Sequence, residues 1–312
     1  MKKGVLIPLI IVGSLLVAST VVVSAALIAK YSIKKVHFEE SYDANISDFK
    51  IDVDTTDVKF EPSTDSKILI IAEQTEKEYH EISTDNNTLS IKAIDNRKGF
   101  EKISSADLSM TIYLPLGTYG DFNYESSTGN LDIPDGYVFN KVVTKFSTGN
   151  FNFKSDVLTH FSSEISTGDI TLSEVNTVET VNIKTSTGKV NLDKVNCTDI
   201  VRINTSTGKV NLIDLKAKNL DVETSTGNVT LSNTIIDEKI NIKTSTGDVK
   251  LTNSDAESLT IKTSTGDVDG TLLTSKIFYV TTGGSVDVPK STEGGLCEVE
   301  SSTGNVTFKI KA

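Results

Sequence analysis

From residue 126 onward, apolar and polar positions alternate in short runs, and the runs recur about every twenty residues. A glycine marks each unit: Gly129, Gly149, Gly168, Gly188, Gly208, Gly227, Gly247, Gly266, Gly284 and Gly304. Nine of the ten close the tripeptide Ser-Thr-Gly; the ninth unit reads Thr282-Gly283-Gly284. Two places after the glycine stand Leu131, Phe151, Ile170, Val190, Val210, Val229, Val249, Val268, Val286 and Val306, all apolar. Four places after it stand Ile133, Phe153, Leu172, Leu192, Leu212, Leu231, Leu251, Val288 and Phe308, with Gly270 the one exception. The residues between are polar, which predicts a strand with one face inward and one outward.

The residues before the glycine alternate as well. Seven and five places before it come Val181 and Ile183, Val201 and Ile203, Leu220 and Val222, Ile240 and Ile242, Leu259 and Ile261, Ile277 and Tyr279. These pairs are expected to face inward. Three places before it, the same units carry Thr185, Thr205, Thr224, Thr244, Thr263 and Thr281. Each unit thus reads strand, Ser-Thr-Gly corner, strand, and a variable connection. Glycine suits the corner because it adopts positive φ without a Cβ clash. Ser and Thr hydroxyls can satisfy backbone groups freed at the bend.

Antiparallel hairpins would also alternate, but they do not need the same corner at the same interval. Stacked rungs do, each strand pairing in parallel with its copy about 4.8 Å away. The predicted fold class is therefore all-β: a parallel β-helix, or solenoid, of about ten 20-residue rungs. At that spacing the rungs make a rod about 45 Å long.

The expected organisation has five parts. Residues 1–4 are a short tail. Residues 5–29 carry no charge over 25 positions, against the roughly 20 that span a bilayer, and are expected to form a transmembrane anchor. A cleaved signal ending near Val23-Ser24-Ala25 is the rival, although signal cores run about 7–15 residues. Lys2 and Lys3 precede the run and Lys30, Lys34 and Lys35 follow it, so flanking charge leaves the orientation open. Residues 30–45 read as a polar tether. Residues 46–125 read as an irregular β-rich cap over the first rung's open edge. Within them, Asp57-Val58-Lys59-Phe60 parallels Asp248-Val249-Lys250-Leu251 and looks like a rung whose glycine is missing. Residues 126–312 are the repeat rod, with Lys309 and Lys311 expected to protect its last strand from further pairing.

Charge narrows the partners. The 312-residue chain has a formal charge of −11. Residues 1–40 contribute +3, from five lysines and two glutamates, so the remainder carries −14. An acidic body argues against nucleic acid. Cys197 and Cys297 are the only cysteines and form no Cys-x-x-Cys motif, so no disulfide framework is expected.

The residue after each glycine forms a row: Asn130, Asn150, Asp169, Lys189, Lys209, Asn228, Asp248, Asp267, Ser285 and Asn305. Calcium-binding β-rolls also repeat Asp, but with a nine-residue Gly-rich period; here the period differs and two lysines interrupt the row. Enzymes that cleave polysaccharides on β-helices need paired carboxylates or an Asp, Lys and Arg set on one face. Outward Asp169, Asp248 and Asp267 lie in separate rungs, and His37, His80 and His160 are scattered. There is no Trp for a sugar platform. Ice binding is not expected, because the regular Thr column lies on the inward phase. Leu114-Pro115-Leu116-Gly117-Thr118 has the look of a sortase signal with Gly and Thr reversed, but it is internal and reads more plainly as a strand end and turn. No catalytic, cofactor-binding or metal-ligating residue is assigned.

Three features together resemble the bacterial putative-adhesin family over about residues 46–312: the strand 108–115 with its Leu-Pro ending, Ser126-Ser127-Thr128-Gly129-Asn130-Leu131, and the recurring Ser-Thr-Gly-Asn/Asp/Lys-Val units. The resemblance implies a membrane-anchored envelope domain outside the cytoplasm and supplies no site residues. It also implies an accessory role beside envelope-stress regulators. The expected function is a non-enzymatic adhesin or envelope scaffold whose partners are the membrane and an unidentified surface ligand. A polysaccharide-acting enzyme and an envelope-stress sensor are the alternatives.

Overall fold

Twenty-residue units with two alternating runs each cannot close a core alone, and stacking supplies the missing neighbours. The computed structural model, which describes residues 34–43, 45–103 and 106–311, shows that stacking. Each central turn gives one long strand and one short one, as in Cys197–Thr207 followed by Val210–Ile213. Long strands form a 13-stranded sheet and short ones a 14-stranded sheet. Like residues stack: Val190, Val210 and Val229 pair in parallel, as do Leu192, Leu212 and Leu231. The fold is an all-β parallel solenoid of about ten turns, and its one helical element among the described residues is the 3-10 turn Gly99–Ile103. No helix of the described residues is long and apolar enough to cross a membrane; the expected anchor, residues 5–29, lies outside them.

The inward columns form one continuous core, with Val201, Val210, Leu212 and Leu220 fully buried. Phe122, Phe139, Phe151, Phe153 and Phe161 fill its N-terminal half, with neighbouring ring centroids 5.2–6.2 Å apart. Leu212→Ala is expected to cost about 2–5 kcal/mol, because the neighbours above and below cannot collapse into the void. Exposed Lys209, three residues earlier, should tolerate alanine within about 0.5 kcal/mol. Equal denaturant midpoints for the two variants would refute the assigned faces.

The connection expected to vary is itself regular. Six places after the glycine, Glu174, Lys194, Asp214, Asn233 and Asn253 all adopt φ between 49° and 59°. This second corner lacks a glycine because its side chains point to solvent and Asn and Asp tolerate the left-handed region. It turns Val175, Val195 and Leu215 into the core.

The N-terminal end is built from antiparallel pairs. Lys67–Gln74 runs between Val36–Asp43 and Leu108–Pro115, and Glu78–Asp85 pairs with Thr88–Asp95. Residues 36–43, expected within the tether, are thus an edge strand. Phe38 and Tyr42 alternate with charged residues and pack against the core, which holds the segment to the sheet. The glycine-less rung is real: Val58 pairs in parallel with Leu131. Thr56 takes the glycine's place there, fully buried and paired with Leu108 on the far side.

The C-terminal end departs from chain order. Gly295–Thr303 pairs directly with Ser258–Thr265, and Lys276–Thr282 lies outside it. Val306–Ile310 likewise lies between Val268–Leu272 and Val286–Asp287. The last turn in sequence is therefore inserted beneath the turn that precedes it. Gly270 explains the choice. It faces Phe308, and a Cβ on Gly270 would stand 2.2 Å from that ring. The gap left by the one missing apolar side chain is filled by a large ring. Lys309 and Lys311 consequently do not guard the terminal edge. Ile277 and Tyr279 were expected inward; instead Phe278 and Val280 pack against the core and Tyr279 is 63% exposed. Phe278 pairs with Cys297 and Val280 with Val299, a one-residue slip that exchanges the faces. Val286 is also exposed, because nothing stacks beyond its rung.

Candidate binding edge

The row after the corner glycine is an inter-rung hydrogen-bond ladder. The amide N–H of Asn130 donates to Asp57 Oδ1 at 2.8 Å, Asn150 to Asn130 Oδ1 at 2.9 Å, and Asp169 to Asn150 Oδ1 at 2.9 Å. Lys189 donates to Asp169 Oδ1 at 2.7 Å. Asp248 then donates to Asn228 Oδ1 at 3.1 Å, and Asp267 to Asp248 Oδ1 at 3.0 Å. The ladder follows the rearranged rungs, since Asn305 donates to Asp267 Oδ1 at 2.7 Å and Ser285 to Asn305 Oδ1 at 3.1 Å. A short acceptor side chain at this position captures the next rung's N–H, which explains the preference for Asn and Asp. Asp169, Asp248 and Asp267 are therefore structural acceptors; Asp248 and Asp267 lie on adjacent rungs, and the Oδ1 of each of the three is taken up by the next rung's amide. Among the described residues, no cluster of three or more His, Cys, Asp or Glu could hold a metal ion.

The corner itself carries the most regular exposed feature. Its serines and threonines, from Ser127 and Thr128 through Ser302 and Thr303, are exposed in all nine Ser-Thr-Gly units. They stand in register: Thr187 pairs with Thr167 and Thr207, and Thr226 with Thr207 and Thr246. Two parallel rows of hydroxyls thus run along one edge of the rod at about 4.8 Å per step. The inward phase holds a separate Thr column, with Thr185, Thr205, Thr224, Thr244 and Thr263 all buried. Thr244 and Thr263 donate to the carbonyls of Gly227 and Gly247 at 3.5 and 3.3 Å. The inward column follows from the alternation in the sequence, and the outward rows do not. Strand alternation does not extend through a corner, where two successive side chains can both face solvent.

Beside this edge, the long sheet carries alternating charges, with Lys184 and Glu164 paired at 3.0 Å and Lys262 and Glu300 at 2.8 Å. Exposed pairs of this kind contribute little stability and present a mixed-charge face. Free Cys197 and Cys297 are buried, and burial pushes their thiols up to about 11 and about 12, away from thiolate chemistry. His37 bonds Glu73 at the N-terminal edge, and His160 lies against Thr180 at 2.7 Å.

His80 lines a cavity of about 220 Å³ at the capped end, with Asp52, Asp54, Thr56 and Glu78. Its Nε2 lies 2.9 Å from Thr56 Oγ1, and its Nδ1 has no partner. Arg97 closes that end, 2.9 Å from Glu78 Oε1 and 2.9 Å from Asp95 Oδ1. Its hydrogen bond pulls Asp95 down to about 2, while burial raises Glu78. Burial lowers His80 to about 4. The neutral imidazole is kept in the fold, whereas the unfolded chain takes up a proton below about pH 6.5. Stability should therefore fall by roughly 3 kcal/mol between about pH 6.5 and pH 4. Urea midpoints across that range test this, and His80→Gln should flatten the slope; an unchanged slope refutes the assignment.

A family model described as Toastrack DUF4097 matches residues 46–275 and 201–312. The chain belongs to the Toastrack DUF4097 family. This bears out the resemblance to the putative-adhesin family. Solved structures similar to this Toastrack chain include a putative adhesin from Bacteroides fragilis, at 16% identity over 88% of this chain and 98% of that one, with a TM-score of 0.43. A putative adhesin from Parabacteroides distasonis shares 15% identity over 86% of this chain and 98% of its own, with a TM-score of 0.41. A putative cell adhesion protein from Clostridium sporogenes shares 12% identity over 89% and 100%, with a TM-score of 0.26. No functionally curated protein matches the Toastrack chain.

Proposed function

We propose that this Toastrack protein is a non-catalytic binding rod of the bacterial envelope, anchored by residues 5–29 and displayed outside the cytoplasm. The observation that carries the proposal is the double row of exposed Ser and Thr hydroxyls, repeated in register over nine units. A pocket selects a small molecule. A periodic polar edge instead suits a long, repeating polar chain, where many weak hydrogen bonds add through multivalency. The acidic body, at −14 beyond residue 40, disfavours polyanions, so the fitting ligand class is an uncharged envelope polysaccharide.

Co-sedimentation of the full chain with peptidoglycan, teichoic acid and neutral glycans tests this. Replacing Thr187, Thr207 and Thr226 by valine keeps the β-branched shape and removes three hydroxyls. Neutral-glycan binding should weaken at least tenfold with an unchanged melting temperature. Undiminished binding refutes the edge. Release of soluble fragments, abolished by Asp→Asn at Asp169, Asp248 or Asp267, establishes an enzyme instead. Protease treatment of intact cells should remove the rod; protection of the rod refutes the outward orientation.

A further inference from the structure

The two ends of the rod are protected unequally. At the N-terminal end, the edge strands carry exposed Glu39, Glu40, Asp43, Glu81 and Asp85. Charges on an edge discourage another strand from adding. At the C-terminal end, the outermost long strand is Lys276–Thr282, paired on one side only. Its single charge, Lys276, is 2% exposed and bonded inward to Asp255 at 2.7 Å. The remaining residues, Ile277 to Thr282, are β-branched or aromatic and uncharged. Long strands of the interior turns carry exposed charges, such as Lys184, Arg202, Glu223, Lys243, Lys262 and Glu300. Of the two edge strands of the 13-stranded sheet, the C-terminal one is therefore the one without a guard; Tyr279 on it and Val286 beside it stand exposed.

We propose that the C-terminal end of the rod is a self-association surface, where Lys276–Thr282 pairs antiparallel with the same strand of a second copy across a two-fold axis. Charge selects this partner. The terminal turn, residues 273–294, holds Lys276, Lys290, Asp287 and Glu293, a net charge of zero on a chain of −11. Two copies meet there without the repulsion that their bodies impose elsewhere. Stacking onto another copy's N-terminal end would bury that end's carboxylates against an uncharged strand, so growth stops at two. The edge strand is about 23 Å long and the sheets stand about 10 Å apart. Each facing end then covers about 230 Å², so the two bury on the order of 500 Å² in total, the size of a weak, transient contact. The expected dimer is reversible, with a Kd on the order of 10 µM. Tyr279, the middle residue of the strand, meets its own copy at the axis. The N-terminal ends point away from each other, so anchored rods would pair across two facing surfaces.

Sedimentation equilibrium of the full chain in density-matched detergent, from about 1 to 100 µM, tests the pairing. The protein mass should rise from 33.7 kDa towards twice that value. Tyr279→Lys should weaken association at least tenfold, whereas Glu81→Ala at the opposite end should leave it unchanged. Tyr279→Cys should form a disulfide-linked dimer on mild oxidation, and Asn204→Cys, in the middle of the rod, should not. A constant single-copy mass overturns the proposal, as does a dimer insensitive to Tyr279→Lys. Glycan binding by the corner hydroxyls is read separately and does not depend on this outcome.

Discussion

Gly208→Val should unfold the rod at a markedly lower urea concentration, with a loss of roughly 3 kcal/mol or more. The cause is close approach. A Cβ on Gly208 would stand 1.7 Å from the carbonyl oxygen of Gly188, which is backbone and cannot move aside alone. Most corner glycines also have positive φ, Gly188 at 155° and Gly227 at 156° among them. Gly208 lies outside that left-handed range, so the conformational reason expected from sequence does not apply to it. Steric contact between stacked corners governs this position. The test separates the two causes. Gly208→Ala adds only the Cβ and should already incur most of the loss; an alanine variant as stable as the parent would refute the steric account.

Asp255→Ala should destabilise the C-terminal turns by about 3–5 kcal/mol, because it strands a buried cation. Asp255 Oδ1 pairs with Lys276 Nζ at 2.7 Å and accepts the amide of Ala256 at 2.8 Å. Its Oδ2 accepts the amides of Leu273 and Thr274 at 2.9 and 2.6 Å, and the Thr274 hydroxyl at 2.9 Å. One carboxylate therefore ties the turn at 273–276 to the rung beneath it. Removing it leaves an ammonium 2% exposed and three backbone donors unmatched. Hydrogen exchange should show faster opening of residues 273–310 than of the central rungs. Uniform exchange along the rod would refute a local clamp. Lys276→Met should be milder, since it removes the charge that needs compensation and leaves Asp255 with its backbone donors.

The periodic part of the fold was legible in the residues. Valine or another apolar residue two places after each glycine and leucine or its like four places after it set a period-two strand. Identical neighbours at a twenty-residue interval required parallel stacking. The second corner at Glu174, Lys194, Asp214, Asn233 and Asn253 was not legible, because four kinds of polar side chain hide one shared backbone conformation. The hydroxyl edge was half legible: every Ser and Thr was in view, but the bend that exposes both lies where alternation stops predicting direction.

Sequence by itself determined the all-β solenoid, its corner glycines, its inward columns and the glycine-less first rung. Local pattern suffices for these, since each rung repeats the same short-range rule and only stacks on its copy. Tertiary structure alone decided the ends. Residues 36–43 became a strand because Phe38 and Tyr42 found a core to cover. The last turn slipped beneath its predecessor because Phe308 fills the space over Gly270, a contact between residues far apart in the chain. Where a rod ends there is no next copy to follow, and side-chain volume and charge set which strand lies at the edge.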